Sequence, residues 1–251
     1  MEECHRALTR RKRSFFPLFD EYIYNLITTP ADIRLVTLSV LQDFAADSVA
    51  YLKLRTTPRS IPISNISKET YVDTVLDTVE TFHHAQHDLH CNLILSIDRR
   101  NTAAEAQRTV DIALAHRHRG VVGIDLSGNP LQGDVSIFGP AFARAKANGL
   151  KITLHFGEVA TPDHEAELHT LLDFEPDRLS HVIHVPEEIK ERIRRMGLGL
   201  EFCLSCNVLA RLSEGGYRGH HFGEWRRSGC PIALSVGCLC SKQGDANTQL
   251  D

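Results

Sequence analysis

Long apolar runs are missing from this sequence, since no stretch reaches the roughly 18 residues that a membrane-spanning helix requires. The N-terminus begins with Met1, Glu2 and Glu3 and lacks the apolar core of a secretory signal. Positive charge is not in excess either, because the formal net charge is −4 over 251 residues, without the basic signature of nucleic-acid-binding proteins. We therefore expect a protein of the cytosol that engages neither membranes nor nucleic acids.

A disulfide framework and a dinucleotide-binding motif are also missing. The seven cysteines are odd in number and scattered, which favours free thiols in a reducing compartment. Cys203 and Cys206 form a Cys-x-x-Cys pair, but no second pair accompanies them, so coincidence is favoured over a zinc or redox motif. No Gly-x-Gly-x-x-Gly follows a predicted strand, which lowers the case for a dinucleotide-binding fold.

Short apolar segments, each bounded by turn or cap residues, recur along the chain and predict seven strands. They are residues 49–54, 92–97, 121–126, 151–156, 179–183, 198–203 and 231–236. Segments of helical periodicity lie between most of them, at 31–45, 70–84, 103–118, 141–147 and 186–196. Strand alternating with helix predicts an α/β fold with a parallel sheet, of the (β/α)₈ barrel type, with a doubly wound open sheet as the alternative.

The two ends of the chain differ from the middle. Residues 1–236 carry the strand and helix pattern and are expected to form one domain, while 237–251 are polar and aperiodic and are expected to form a disordered tail. Residues 10–13 form a basic run, for which a solvated helix face is favoured over an import signal or a patch for an acidic partner.

A histidine and a glutamate stand at the end of the fourth predicted strand. His155 lies at its carboxyl end, and Glu158 follows three residues later. In parallel α/β folds the chemistry is built at this edge, where an imidazole can hold a metal and a carboxyl can move protons. His-x-x-Glu alone has little specificity. Polar residues also end five other predicted strands, a succession that caps and turns explain less easily. They are found within 55–59, 98–100, 125–128, 180–181 and 205–207.

Seven short motifs together indicate a family. In chain order they are YLKLRTTPR at 51–59, GIDLSG at 123–128, LHFGE at 154–158, DRLSH at 177–181, LEFC at 200–203, SCNV at 205–208 and HHFG at 220–223. With these motifs the chain resembles the adenosine deaminase family, and most closely its adenosine deaminase-like branch, which acts on N6-methyl-AMP. The resemblance runs from about Met1 to Ser235.

The resemblance implies a zinc-dependent hydrolytic deaminase on a (β/α)₈ barrel, converting a purine nucleotide, N6-methyl-AMP, to IMP and methylamine. It implies that His155 is a zinc ligand and that Glu158 protonates a purine ring nitrogen. It also implies that His181 orients or deprotonates the attacking water, and that Gly128 sets its backbone against the purine. We expect the protein to be a monomer.

The same analogy gives a nucleotide-binding role to a second group of residues. Asp98 and the segment formed by Thr56, Thr57, Pro58 and Arg59 are expected to contact the nucleotide. Arg59 is the expected partner of the phosphate, because its guanidinium offers a fork of donors.

The chain departs from the family pattern at both ends. No His-x-His follows an apolar strand, and His116-Arg117-His118 falls in a helical stretch, so we do not accept it as a substitute. The last predicted strand does not end in an Asp-Asp pair. We therefore expect an incomplete barrel without its first strand and its C-terminal helices, truncated at both ends, with His155 as one ligand of an incomplete zinc shell. Ser180 and Val182 also stand where the family prefers glycine.

Alternatives to this interpretation remain open. The chain could be a catalytically inactive nucleotide-binding or regulatory form, or it could deaminate adenosine to inosine. Another metal-dependent hydrolase on the same barrel is a third possibility, although no second histidine-rich strand end supports it. His220 and His221 could line the rim of the pocket or cap a loop, and Trp225 is expected in the core.

Overall fold

The computed structural model describes residues 24–85, 88–160 and 163–235. The predictions for the basic run at 10–13 and for the tail at 237–251 lie outside these residues.

The described residues form one sheet of seven parallel strands that neighbour each other in chain order. The strands are β1 (Tyr51–Thr56), β2 (His90–Asp98), β3 (Val121–Ser127), β4 (Lys151–Phe156), β5 (Arg178–His181), β6 (Gly199–Phe202) and β7 (Ile232–Leu234). All seven predicted strands are confirmed, with ends that differ by two residues or fewer.

Helices connect the strands, as the alternating pattern predicts. They are α1 (Tyr24–Leu26), α2 (Pro30–Ala46), α3 (Lys68–His84), α4 (Ala103–Ala115), α5 (Gly139–Ala147), α6 (His164–Asp173), α7 (Glu187–Met196), α8 (Leu204–Leu209) and α9 (Phe222–Trp225). The sequence pattern did not predict α6, whose buried face consists of Leu168, Leu171 and Leu172. Three apolar positions are too few for helical periodicity to stand out.

The first long helix shows how a periodic pattern can mislead. In α2 the apolar residues Val36 and Leu38 are both 37 % exposed. The face that packs against α3 carries Ile33, Thr37 and Leu41 instead. Those three positions are four residues apart and therefore lie on one side of a helix.

The sheet curls strongly. The Arg55 guanidinium on β1 lies 2.5 Å from the Glu201 carboxylate on β6. In a flat sheet five strand spacings would separate them by about 24 Å. The structure therefore confirms an incomplete (β/α)₈ barrel. Within the described residues, β1 and β7 each keep one edge without a neighbouring strand, and no helix follows β7.

The main hydrophobic core lies between the sheet and its covering helices. Buried residues of the central strands, such as Leu95, Ile124 and Leu154, pack against Val110 and Phe142 of the helices. Trp225 is fully buried in this core, as predicted. Among the described helices, none combines the length and the apolar character needed to cross a bilayer.

Candidate active site

Three predicted site residues meet at the carboxyl edge of the sheet. His155 lies near the end of β4, and His181 is the last residue of β5, opposite Phe156. The two imidazole ring centres are 5.2 Å apart, and the planes are tilted by 42°. The Glu158 carboxylate Oε1 lies 3.7 Å from His181 Nε2. Both Glu158 and His181 are buried.

A glycine turn places Glu158 opposite His181. Gly157 has φ +59°, a left-handed conformation in which a side chain would be strained. A Cβ atom there would also lie 3.0 Å from the Val185 side chain and 3.1 Å from the His184 carbonyl. The Gly157 carbonyl accepts hydrogen bonds from the backbone N–H groups of Ile183 and His184. The loops after β4 and β5 are therefore joined directly beside the site.

His155 has a defined proton position. Its Nδ1 lies 3.0 Å from the Leu126 carbonyl and 3.1 Å from Asp125 Oδ1. A carbonyl oxygen can only accept, so Nδ1 carries a proton, and in the neutral form of the ring the Nε2 lone pair is left for the cleft. Burial lowers the pKa of His155, but the charge and hydrogen bond of Asp125 outweigh it, and the pKa is raised overall. Burial likewise opposes ionisation of Asp125, yet Arg55 and then His155 lower the pKa of Asp125 to about 2.

A polar network fills the barrel interior beneath His155. We call it the interior network, and it consists of Arg55, Ser96, Asp125, Thr153, Arg178, Ser180 and Glu201. Arg55 lies 3.7 Å from Asp125 Oδ2 and 2.5 Å from Glu201 Oε2. Arg178 binds the other carboxylate oxygen of Glu201 at 2.9 Å. Because these charges are paired, the interior can hold them away from water.

His181 is held by groups from two other elements. Its Nδ1 lies 3.0 Å from Asn207 Oδ1 on α8, and its backbone carbonyl lies 2.5 Å from His221 Nε2. Burial lowers the pKa of His181, while the nearby Glu158 raises it less. The imidazole is therefore neutral near pH 7, as a proton acceptor must be.

An open cleft lies in front of these residues. Its walls include Arg99, Gly128, His155, Glu158 and Glu167. Gly128 has φ +105°, and a Cβ atom there would lie 3.1 Å from Asp98 Oδ1. The structure thus brings Gly128 to the cleft together with His155 and Glu158. The Arg99 guanidinium makes two hydrogen bonds to Glu167, of 3.0 and 2.7 Å, a pairing that no local motif indicated.

The other predicted nucleotide-binding residues lie around the neighbouring strand ends. The Asp98 carboxylate accepts hydrogen bonds from Arg100. Asp98 also lies beside Gly128, since a Cβ atom on Gly128 would be 3.1 Å from Asp98 Oδ1. Thr57 Oγ1 lies 3.5 Å from Ser127 Oγ, which places it beside the Gly128 turn. The role of these residues in binding a nucleotide stays a prediction.

Thr56 and Arg59, which also belong to this segment, contact residues that do not line the cleft. Thr56 Oγ1 lies 2.8 Å from Tyr71 Oη, and Pro58 is buried. The Arg59 guanidinium donates to the backbone carbonyls of Tyr24, at 2.9 Å, and of Ile27. Two nitrogens of the Arg59 guanidinium therefore already bind backbone carbonyls. The phosphate-binding role of Arg59 also stays a prediction.

Sequence reasoning underrated three residues. Asn207 belongs to a quoted motif but received no role, although it contacts His181. His221 also contacts His181, through the backbone carbonyl. His220 Nδ1 accepts a hydrogen bond from the Phe222 N–H, which fits the loop-cap alternative. Burial lowers the pKa of His220 and of His221 to about 4, so both rings are neutral.

Metal binding by the described residues depends on the donor groups that they offer. His155 offers an Nε2 lone pair toward the cleft, as a zinc ligand should. A catalytic zinc takes three protein ligands, however, and no cluster of three or more His, Cys, Asp or Glu residues occurs in the described part of the chain. These residues alone therefore do not complete a zinc site.

Comparison with known proteins fits this geometry. A family model for adenosine deaminase matches residues 4–234. The chain belongs to the adenosine deaminase family. An Arabidopsis thaliana relative named N6-mAMP deaminase is 36 % identical over an alignment of 240 residues that covers 87 % of this chain and 66 % of the relative. A Danio rerio relative named N6-Methyl-AMP deaminase is 34 % identical over an alignment of 253 residues that covers 96 % of this chain and 72 % of the relative.

Solved structures of the adenosine deaminase family agree. Arabidopsis ADAL complexed with IMP and complexed with GMP each superpose with a TM-score of 0.87 at 34 % identity. Each match covers 98 % of this chain and 74 % of that chain. This chain therefore spans between about two thirds and three quarters of the length of these relatives.

Proposed function

We propose that this chain carries the nucleotide site of a hydrolytic purine deaminase, with N6-methyl-AMP as substrate and IMP and methylamine as products. The observation that carries the proposal is the contact of Glu158 with His181 beside His155, next to a cleft that His155, Glu158 and Gly128 line. The relatives named as N6-methyl-AMP deaminases support the substrate, and the ADAL complex with IMP supports the product.

The roles follow from the positions of the side chains. Glu158 is buried and faces the cleft, so it is placed to give a proton to a purine ring nitrogen. Neutral His181 can take a proton from the attacking water. Gly128 lacks a side chain, which lets a flat purine approach the backbone.

Zinc is the proposed cofactor, because the family resemblance implies it. When bound, zinc lowers the pKa of a coordinated water to about 7. Among the described residues His155 would be its ligand, through Nε2. The monomeric state and the cytosolic location stay predictions, and size-exclusion chromatography tests the first.

A second candidate is nucleotide binding without turnover. The observation that favours it is that the described residues contain no cluster of three or more His, Cys, Asp or Glu side chains that could hold a metal. In that case the cleft would hold a purine nucleotide in a binding or regulatory role. Deamination of adenosine differs from the main proposal only in its substrate, so the same assay decides it.

The test combines turnover and binding in the 251-residue chain. N6-methyl-AMP, AMP and adenosine are each incubated with protein and Zn²⁺, and conversion to the inosine form is followed by ultraviolet absorbance. Calorimetry with IMP measures binding separately. Turnover of N6-methyl-AMP that a chelator removes supports the main proposal. IMP binding without turnover supports the second candidate, and the absence of both results contradicts the two proposals together.

Substitutions assign the roles where turnover is found. Glu158→Gln should reduce turnover by about 10²- to 10⁴-fold, the usual contribution of a general acid. IMP binding should change little, because the side-chain shape is kept. Glu165→Gln is the matched control, since Glu165 is exposed on α6 and should have no effect. Equal losses in both variants would contradict the assignment of Glu158.

A further inference from the structure

A strained turn follows β5 at the candidate base. His181 has φ +69° and Val182 has φ +52°, so two consecutive residues that are not glycine adopt the left-handed conformation. This conformation is unfavourable for any residue with a Cβ and rare for a β-branched residue such as Val182. Such strain persists only where surrounding contacts over-determine the backbone, and it clusters at functional sites.

Backbone contacts hold one side of this turn. The Val182 N–H donates to the Phe156 carbonyl at 2.9 Å, and the Ile183 N–H donates to the Gly157 carbonyl at 3.2 Å. Both bonds connect the turn to the end of β4, beside Glu158. The position of the His181 backbone is therefore tied to the loop that carries Glu158.

His221 holds the other side of the turn. Its Nε2 lies 2.5 Å from the His181 carbonyl, which can only accept, so the His221 proton sits on Nε2. His220 stacks on His221 with ring centres 4.2 Å apart, but His220 uses Nδ1 for the Phe222 N–H. The two adjacent histidines therefore have different roles, and only His221 contacts the strained turn by a hydrogen bond.

Asn207 contacts the ring of His181. The side chain of Asn207 is fully buried on α8, and its Oδ1 lies 3.0 Å from His181 Nδ1. The backbone of Asn207 is fixed by the Cys203 carbonyl at 2.9 Å and by the Leu212 N–H at 2.8 Å. An amide oxygen in a fixed position is a defined acceptor for one ring nitrogen.

We propose that Asn207 and His221 are positioning residues for His181. Asn207 accepts the proton of His181 Nδ1, so that the Nε2 lone pair faces Glu158, which lines the cleft, and His221 holds the carbonyl of the left-handed turn. This inference deepens the proposed function, because it rests on His181 acting as the base there. The opposite tautomer would place the proton on Nε2 and remove the lone pair that the base needs.

The first experiment reads the tautomer of His181 directly. The 251-residue chain is labelled with ¹⁵N-histidine, and the ring signals are assigned by comparison with His181→Gln. We expect the proton on Nδ1 in the unsubstituted chain and in Asn207→Asp, which keeps an acceptor oxygen. Asn207→Leu should shift the tautomer ratio toward Nε2–H by roughly five- to tenfold, the effect of losing one ordinary hydrogen bond.

Two results would overturn the role of Asn207. One is a proton on Nε2 in the unsubstituted chain, which needs no variant at all. The other is an unchanged tautomer ratio in Asn207→Leu. Should the leucine variant fail to fold, Asn207→Asp still decides, because loss of the Nδ1–H form there contradicts the proposal.

The second experiment reads the turn by hydrogen exchange. His221→Phe removes the bond to the His181 carbonyl but keeps an aromatic ring, and exchange of the Val182 and Ile183 amides should accelerate about fivefold or more. His220→Phe is the matched control, since it removes the stacked neighbour without touching that carbonyl. Equal acceleration in the two variants would show general loosening and overturn the role of His221.

These outcomes are separable from the fate of the proposed function. Tautomer and exchange are measured without nucleotide or metal. If the chain fails to bind IMP while His181 shows the Nδ1–H form, the site assignment fails and the positioning contacts stand. If IMP binds while His181 carries its proton on Nε2, the site assignment stands and the positioning role of Asn207 fails.

Discussion

Two arginine-centred networks in this molecule use the same groups in different surroundings. In the interior network Arg55 binds Asp125 and Glu201, whose side chains are 0 % and 7 % exposed. On the surface, Arg119 binds Asp77 and Glu80, whose side chains are 65 % and 45 % exposed, and Asp73 at 2.9 Å. The shortest nitrogen–oxygen distances are close, 2.5 Å in the interior and 2.6 Å on the surface.

The difference teaches that contact distance does not decide what an ion pair contributes. On the surface, water and salt screen the charges, and the loss of one partner leaves the others hydrated. In the interior, the buried carboxylates of Asp125 and Glu201 have little water to replace a lost partner, although the Arg55 side chain itself is 24 % exposed. The interior network also reaches the candidate site, because Asp125 binds the His155 imidazole.

Removing a carboxylate from the interior network should have the largest effect. Glu201→Ala leaves Arg55 and Arg178 without their shared partner, so we expect the free energy of unfolding to fall by about 3–5 kcal/mol. Urea denaturation of the variant and the unsubstituted chain measures the difference. Glu201→Gln keeps hydrogen-bond acceptance and should lose less. A loss below about 1 kcal/mol would mean that the interior network contributes no more to stability than the surface network does.

Mild acid should lower the stability of the fold through its buried histidines and leave the paired carboxylate of Asp125 ionised. Burial lowers the pKa of His220 and His221 from 6.5 to about 4, so the unfolded chain binds more protons between these pH values. Stability should therefore fall as pH drops from about 6.5 to about 4. Asp125, whose pKa is about 2, stays ionised throughout this window.

Urea midpoints at several pH values test this expectation. In the double variant His220→Gln with His221→Gln the slope of stability against pH should flatten between pH 6.5 and pH 4. A slope that persists unchanged would assign the acid sensitivity to other groups.

Replacing Arg55 by lysine should have a smaller effect. The ammonium keeps the charge, but a point donor cannot serve Asp125, Thr153 and Glu201 together as the guanidinium fork does. We expect a loss of about 1–2 kcal/mol by urea denaturation, as for one or two hydrogen bonds to charged groups. Arg119→Lys is the matched control on the surface and should change stability by less. The comparison fails if the two substitutions cost the same.

The smallest effect is expected at the exposed end of the surface network. Asp77→Asn removes one carboxylate that is 65 % exposed, so stability should change by less than about 1 kcal/mol. Added salt should shrink the difference further, because exposed charges are screened. A larger loss, insensitive to salt, would mean that the surface network behaves like the interior one.

Much of the fold was predictable because its signals are local. Alternation of apolar strands and periodic helices gave all seven strands within two residues of their ends. The helices α1, α6, α8 and α9 were missed, and the periodicity of α2 did not show that its apolar residues Val36 and Leu38 are exposed. Propensity and spacing show that a helix forms, but the neighbour decides which face is covered.

The candidate site was predictable in part. The motifs identified His155, Glu158, His181 and Gly128. The structure places His155, Glu158 and Gly128 around one cleft, with His181 buried beside Glu158. The tie from Asn207 to His181 depends on how α8 packs behind β5, which no local pattern encodes.

By itself, the sequence determined the family, the parallel α/β architecture and the identity of the residues that end the strands. Only the tertiary structure decided which of those residues meet. Arg55 and Glu201 are 146 positions apart and touch because the sheet curls, and His181 is strained because several loops close on it. The alternation along a strand indicates which face of the sheet each side chain occupies. Contacts across a curled sheet depend instead on the positions of all the strands that lie between the two residues.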